Sequence, residues 1–234
     1  MSETLNAEER RVLGVLLEKS MTHPQYYPMS INAIVTACCQ KSNRNPVMSL
    51  DEDAVWSVLE RLRAVGLAKR LMPGGASRID RFKHCVKDVL GWEKPQWAVM
   101  AELLLRGPQT AGELRGRCSR MYPLDNTETV IAVLDILSES ETPRVAMLPR
   151  EPGQSASRYT HLLYPEGEQP RSTAPAASSA SPPAVADTSL SPASENVAEQ
   201  LREVCDEMGD LKAQIGDLSR QVEELRRRVE SLET

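Results

Sequence analysis

Residues 49–83 read SLDEDAVWSVLERLRAVGLAKRLMPGGASRIDRFK, and this stretch decides the predicted fold of the chain. Ser49 is a suitable N-cap, and Glu52 three residues later completes a capping box. Apolar residues recur at helical spacing over residues 54–65, and Gly66 is placed to end the helix. The pattern therefore predicts a helix that begins after Ser49 and stops at Gly66.

A β-hairpin is predicted directly after this helix. Residues 67–72 and 78–84 are short strand-like runs. The residues between them, Pro73-Gly74-Gly75-Ala76, are typical of a turn because proline and paired glycines favour turn geometry. The stretch therefore combines a helix and a hairpin with almost no connection between them.

Two further helices are predicted upstream. Asn6 is a suitable N-cap with Glu9 at the third helical position, and Ser30 caps a second helix. Both segments carry an apolar face at helical spacing. Three helices and a hairpin in residues 5–90 are typical of a winged helix-turn-helix domain, a fold that serves both DNA binding and protein docking.

The same order of elements recurs later in the chain. Thr110 with Glu113 forms a second capping box, 80 residues after Ser30, and Asp125 is a suitable N-cap for a third helix. Two strand-like runs close the segment, at residues 144–148 and 158–164. Residues 91–165 are therefore predicted to form a second winged helix-turn-helix domain in tandem with the first.

The last part of the chain has a different character. Residues 166–194 are rich in Pro, Ala and Ser, which predicts a disordered linker. Residues 195–234 carry a heptad repeat that favours a parallel two-stranded coiled coil and hence a homodimer. The alternative is one amphipathic helix that folds back on the domains. The predicted dimerisation residues are Leu201, Val204, Met208, Leu211, Ile215, Leu218, Val222, Leu225, Val229 and Leu232.

Composition limits the class of protein. The chain has 28 basic and 33 acidic residues, for a net charge of -5, so it has no overall attraction to nucleic acid. The acidity is concentrated in residues 166–234, whereas residues 1–90 are net basic. The five cysteines form no CxxC pair, and no signal peptide or long apolar run is present. These features predict a cytoplasmic protein with reduced thiols and no membrane association.

Three runs of sequence resemble the YceH-like family of bacterial proteins. They are NRNPVMSLDEDAVWSVLERLRAVGL at residues 43–67, LLLRGPQTAGELRGRCSRMY at residues 103–122 and REPGQSASRYTHLL at residues 150–163. The resemblance implies tandem winged-helix domains over about residues 5–164, in agreement with the pattern of helices and hairpins. It implies little about activity, and it does not extend clearly to the linker or the heptad repeat.

Candidate DNA contacts are predicted mainly on the first hairpin. The third helix begins with Asp51, Glu52 and Asp53, which would repel phosphates, so basic residues elsewhere are the candidates. They lie in the loop before that helix, late in the helix and on the hairpin: Lys41, Arg44, Arg61, Arg63, Lys69, Arg70, Arg78, Arg81 and Lys83. The alternative is a charged hairpin that is merely solvated.

The second domain is a poorer candidate for reading a DNA groove. Its predicted third helix carries no Lys or Arg before Ser138. The basic residues of this domain lie on its second helix, at Arg115, Arg117 and Arg120. We expect these arginines to pair with carboxylates inside the protein.

Two functions from different classes remain. One is a dimeric regulator that binds double-stranded DNA, and the other is an adaptor that uses the winged helices to dock unknown protein partners. An enzyme is a distant third, because His23, His84 and His161 lack a nearby nucleophile or metal-ligand spacing. No catalytic residue, metal or cofactor is predicted.

Overall fold

Two successive sets of helices, each followed by a hairpin, form the computed structural model, which describes residues 4–72, 79–150 and 155–168. These residues are mainly helical with small antiparallel strands, as predicted. We call residues 5–90 the first half and residues 91–165 the second half. The predicted turn at residues 73–76, the linker beyond residue 168 and the predicted coiled coil at residues 195–234 lie outside the described residues.

The elements of each half follow the predicted order, with short additions that include a 3-10 helix at Pro24–Tyr26. Those of the first half are α1 (Ala7–Thr22), α2 (Ile31–Cys38), α3 (Glu52–Ala64), β1 (Ala68–Leu71), β2 (Arg81–His84) and α4 (Val86–Leu90). Those of the second half are α5 (Lys94–Arg106), β3 (Gln109–Thr110), α6 (Ala111–Cys118), α7 (Thr127–Ser138), β4 (Val145–Met147) and β5 (Arg158–His161). Helix α4 and strand β3 were not predicted.

Three of the predicted helix caps are confirmed. Asn6 forms a capping box with Glu9 at the start of α1, and Thr110 forms one with Glu113 at the start of α6. Ser30 accepts a hydrogen bond from the backbone N–H of Ala33 at the start of α2. These caps are local interactions, so sequence spacing alone is enough to predict them.

Two predicted caps are wrong. Helix α3 is capped by Asp51 and not by Ser49, because Asp51 Oδ1 accepts from the Ala54 N–H at 2.8 Å. Helix α7 is capped by Asn126 and not by Asp125, because Asn126 Oδ1 accepts from the Thr129 N–H at 2.7 Å. Asp and Asn are as effective as Ser at an N-cap, so the neighbouring choices compete closely.

Each half has its own small antiparallel sheet. In the first half β1 pairs with β2, and Met29 forms an isolated bridge to Phe82. In the second half the strand order is β3-β5-β4. Met29 and β3 both lie directly before the second helix of their half, so the repeat of the fold extends to this extra strand pairing.

The connections between the second and third helices are long. Helices α2 and α3 are joined by residues 39–51, and α6 and α7 are joined by residues 119–126. A strict helix-turn-helix has a turn of about three or four residues. The two halves therefore keep the predicted order of helices and hairpin, with longer connections than a strict helix-turn-helix has.

The two halves share one hydrophobic core, formed where α1 packs against α5. The backbones approach closely at Gly14, where an added Cβ atom would lie 2.9 Å from Leu105 Cγ. Residues 10–18 of α1 are all buried, as are residues 98–105 of α5. A helix that is buried all round lies between other elements, so each half covers a face that the other would expose.

Within the described ranges, no helix is long and apolar enough to cross a membrane. The same residues contain no group of three His, Cys, Asp or Glu side chains that could hold a metal ion. Four cysteines in these ranges are free thiols: Cys38, Cys39, Cys85 and Cys118.

Candidate functional site

The first hairpin separates its side chains into two faces. Lys69 lies directly opposite Lys83, and Leu71 lies opposite Arg81. Residues that are opposite each other, and those two positions further along a strand, share one face of a sheet. Lys69, Arg81 and Lys83 therefore lie on one face, which we call the basic hairpin face.

The other face of the hairpin packs on α3. Phe82 is fully buried, and its ring meets the ring of Trp56 edge-on with centroids 6.0 Å apart. The guanidinium carbon of Arg70 lies 5.0 Å from the centroid of the Trp56 ring, and Arg70 also forms an ion pair with Asp80. Arg70 is a predicted DNA contact, but its charge is engaged in holding the hairpin to the helix.

The basic hairpin face brings three of the predicted DNA contacts together. Neither Lys69 nor Lys83 has an ion-pair partner among the described residues, and the guanidinium of Arg81 donates only to the Pro28 carbonyl, at 2.9 Å. Like charges directly opposite on a hairpin are destabilising, so the lysine pair gains nothing for the fold. An anion placed between the two ammonium groups would be stabilised by both.

The other predicted DNA contacts are more dispersed. Arg61 pairs with Glu9, with 2.7 Å between Arg61 Nε and Glu9 Oε1, and Arg63 pairs with Glu60 on the same helix. Lys41 is exposed in the loop before α3. Arg63, Lys69 and Arg70 line one shallow depression of about 400 Å³ beside the basic hairpin face. Arg78 lies outside the described residues.

Arg44 is a correction to the predicted set. Its side chain is 0% exposed, and its Nη2 donates to Glu18 Oε2 at 2.6 Å while its Nε donates to the Ala37 carbonyl at 3.1 Å. A guanidinium enclosed in this way cannot reach a phosphate. Its positive charge neutralises the carboxylate of Glu18, whose side chain is also 0% exposed.

Glu18 and Arg44 belong to a larger ion-pair cluster between the halves. Arg120 Nη2 lies 2.6 Å from Glu18 Oε1 and 2.8 Å from Glu102 Oε1, so it bridges a carboxylate of α1 and a carboxylate of α5. Arg106 Nε lies 3.1 Å from Glu102 Oε2. We call Glu18, Arg44, Glu102, Arg106 and Arg120 the junction network.

The expectation that the second-half arginines pair with carboxylates inside the protein is confirmed for Arg120 and is wrong for Arg115. Arg120 pairs with the two buried glutamates, and Arg117 donates to Gln109 Oε1 at 2.6 Å. Arg115 is exposed and makes no side-chain contact within the described residues. Burial opposes the ionisation of Glu18, but the hydrogen bonds and charge of Arg44 outweigh it and lower the pKa of Glu18 to about 2.

The loop between α2 and α3 docks against the second half, a role that the sequence did not reveal. The backbone N–H of Asn45 donates to the Leu105 carbonyl at 2.8 Å. Arg106 donates to the Asn43 side chain, and the Asn45 side-chain amide donates to the Arg106 carbonyl at 3.4 Å. The sequence did contain a signal of buried charge, because Glu18 and Glu102 each interrupt an apolar run, at VLLEKS and MAELLL.

The exposed surface of α7 is apolar and acidic. Ile131 and Ile136 are 37% and 58% exposed, and α7 contains no Lys or Arg. Asp135 and Glu128 are also exposed on this helix. The third helices of the two halves therefore present different surfaces, although neither presents a basic start.

These observations define the class of protein: a mainly helical chain of two repeated halves that share one core. The family model described as "Protein of unknown function, DUF480" matches residues 5–154. A UPF0502 protein of Koribacter versatilis is 47% identical over 171 residues, which cover 73% of this chain and 79% of the relative. A UPF0502 protein of Pelobacter propionicus is 50% identical over 163 residues, which cover 70% and 74%.

A third relative is a UPF0502 protein of Geobacter sulfurreducens, 45% identical over 166 residues that cover 71% of this chain and 75% of the relative. The chain belongs to the DUF480 family, whose members carry the name UPF0502. This membership confirms the resemblance to an uncharacterised YceH-like family of bacterial proteins. The matched range of the family model ends before the predicted linker and heptad repeat.

Proposed function

We propose that this protein is a DNA-binding regulator of the tandem winged-helix type, in which the basic hairpin face contacts the phosphate backbone. The observation that carries the proposal is the direct opposition of the exposed Lys69 and the half-buried Lys83 on one hairpin face, with the exposed Arg81 beside them. Cations that have no carboxylate partner and repel one another favour a bound polyanion. The order of three helices followed by a hairpin supports the winged-helix assignment.

The mode of binding follows from the charges of α3. Asp51, Glu52 and Asp53 are exposed at the start of this helix, where a groove-reading helix would meet phosphates. We therefore assign the main contacts to the hairpin, with Lys41 in the preceding loop as an additional cation. Contacts of this kind position a protein on the duplex and carry little sequence information.

Fluorescence anisotropy with random-sequence duplexes tests the proposal. Three phosphate contacts by Lys69, Arg81 and Lys83 would give a log–log slope of affinity against salt of about -3 for one copy of the chain. Selection from random duplexes with the full-length protein would then show whether a preferred site exists. Absence of duplex binding at low salt would contradict the proposal.

The proposal includes a parallel homodimer formed by the heptad repeat. Two copies of the hairpin, related by two-fold symmetry, would suit a palindromic site. The support is the unbroken alternation of three and four in the apolar spacing from Leu201 to Leu232. Light scattering on the full-length protein should give a dimer, and the double variant Ile215→Asp/Leu218→Asp should give a monomer. A monomeric wild-type protein would remove the dimer from the proposal.

The second candidate function is a protein-interaction adaptor, favoured by the exposed apolar surface of α7. Ile131 and Ile136 are exposed and have no basic neighbours on that helix, which suits contact with an apolar protein surface. Crosslinking in cells with wild type and the variant Ile131→Asp/Ile136→Asp distinguishes the functions. Loss of a specific protein partner, with duplex binding unchanged, would favour the adaptor; an unchanged set of partners would contradict it.

A further inference from the structure

A cavity of about 280 Å³ lies between the two halves, away from the basic hairpin face. Its walls come from α1, the loop between α2 and α3, α5 and the segment after β5. The described residues that line it include three arginines, Arg10, Arg11 and Arg106, and one carboxylate, that of Glu168. We call this cavity the arginine pocket.

Arg11 is a buried cation without a carboxylate partner among the described residues. Its Nη1 donates to the Cys38 carbonyl at 3.4 Å and its Nη2 donates to the Pro46 carbonyl, while its Nε has no hydrogen-bond partner. The residue is 2% exposed. Burial and the nearby charge of Arg44 lower the pKa of Arg11 to about 10. A buried guanidinium in this state is stabilised by an added negative charge.

Arg10 shows how the pocket holds a carboxylate. Its Nη1 donates to Glu168 Oε2 at 3.1 Å, and its Nη2 donates to the other oxygen of the same carboxylate. The guanidinium carbon of Arg10 also lies 4.6 Å from the centroid of the Tyr164 ring. Glu168 itself is 40% exposed at its side chain, so its carboxylate sits at the mouth of the pocket and can leave. Glu168 therefore acts as a carboxylate ligand that the chain itself supplies, bound to a guanidinium that is already in place.

The rest of the wall is largely apolar, with Met48, Leu104 and Pro108 among the lining residues. A ligand that fits this surface has an anionic group for the arginines and an apolar body for the wall. We propose that the arginine pocket binds a small organic carboxylate, which replaces Glu168 on Arg10 and supplies the negative charge that Arg11 lacks. This inference does not depend on DNA binding.

Isothermal titration of the full-length protein with benzoate tests the inference. Glu168→Gln removes the competing charge without changing side-chain size, so this variant should bind benzoate about two- to tenfold more tightly than wild type, the range expected for a partly exposed ion pair. The matched control is Glu166→Gln, an exposed neighbour without a side-chain contact in the described residues, which should bind like wild type.

Benzamide, which is neutral and similar in shape, should not bind, and inorganic phosphate should bind more weakly than benzoate. The assay contains no DNA, so its outcome is independent of the proposed function. Absence of benzoate binding to the Glu168→Gln variant at millimolar concentration would overturn the inference. Equal binding of benzamide, tighter binding of phosphate, or the same gain in the Glu166→Gln variant would also overturn it.

Discussion

The junction network and the basic hairpin face both contain cations of the first half, but the fold uses them in opposite ways. In the junction network, the side chain of Arg44 is fully buried, and the carboxylate of Glu18 and the carbonyl of Ala37 accept its hydrogen bonds. On the hairpin, the exposed Lys69 lies opposite the half-buried Lys83, and neither has a carboxylate partner in the described residues. The first arrangement serves the fold, and the second is available to a ligand.

The difference shows that the role of a basic residue depends on its surroundings in the structure and not on how basic residues cluster in the sequence. Lys41 and Arg44 are three positions apart in one loop, yet one is exposed and the other is enclosed. A buried charge must be paired, so a carboxylate in an apolar run predicts a cation that will be withdrawn from the surface.

Removal of Glu18 should damage the junction most. Glu18→Ala leaves Arg44 buried without its counter-ion and takes one of two partners from Arg120. We expect the free energy of unfolding to fall by about 3–5 kcal/mol, the cost of breaking a buried pair, as measured by urea denaturation. Glu8→Ala is the control, because Glu8 pairs with Arg61 at 3.8 Å on the surface and its loss should cost less than about 1 kcal/mol. Equal losses of unfolding free energy in the two variants would contradict the expected difference between a buried and a surface ion pair.

The hairpin face that packs on α3 contains His84, which should make the free energy of unfolding depend on pH. Burial and the charge of Lys83 lower the pKa of His84 to about 4, while its ring packs edge-on against Trp97 with centroids 4.7 Å apart. A histidine with a lowered pKa takes up its proton more readily in the unfolded state. Its contribution is therefore complete above pH 6.5 and is lost as the pH falls toward 4, by up to about 3 kcal/mol.

His84→Phe removes this titration and keeps an aromatic ring beside Trp97. Urea denaturation at a series of pH values should show a shallower loss of stability between pH 6.5 and 4 in this variant. A His84→Phe slope that matches wild type would show that His84 does not titrate as described.

We expect no room for an added side-chain atom at Gly14, where α1 packs closely against α5. Gly14→Ala places a Cβ 2.9 Å from Leu105 Cγ and 3.2 Å from Leu104 Cβ, so the helices must separate, at a cost of about 1–3 kcal/mol. Gly116→Ala in α6 is the control, since no atom lies within 4 Å of the added Cβ. That variant should gain up to about 1 kcal/mol from helix propensity. Thermal denaturation of both proteins measures the difference, and a stabilised Gly14→Ala variant would refute the packing.

The basic hairpin face should matter least to stability. Lys69→Ala/Lys83→Ala removes two like charges that lie opposite each other, one exposed and one half-buried, so we expect the free energy of unfolding to change by less than about 0.5 kcal/mol, or to rise slightly. Urea denaturation of this variant and of Glu18→Ala under the same conditions compares their free energies of unfolding directly. A loss comparable to that of Glu18→Ala would mean that the lysines support the fold.

Local features of the fold were predictable, whereas long-range ones were not. Asn6, Ser30 and Thr110 were identified as caps because their partners lie within one helical turn. Strand β3 is two residues long, too short to show an alternating pattern. The pairing of Arg120 with Glu18 joins residues far apart in the chain, and no local rule relates them.

The candidate site was predicted in part for the same reason. The positions of Lys69, Arg81 and Lys83 on a hairpin followed from local sequence, but the register that places them on one face did not. Arg44 was predicted as a DNA contact because it lies in the loop before α3, and its pairing with Glu18, 26 positions earlier in the chain, is visible only in the structure. A polar loop is ordinarily exposed, so its burial is a property of the shared core.

The most direct measurement compares duplex binding by two double variants with the same charge change. Lys69→Ala/Lys83→Ala removes two cations from the basic hairpin face, and Lys94→Ala/Arg115→Ala removes two exposed cations from the second half. We expect the hairpin variant to bind a random duplex more weakly, with a salt slope smaller by about 2, and the control variant to bind like wild type. Equal binding by both variants, or no binding by wild type at low salt, would contradict the central claim that this face contacts DNA.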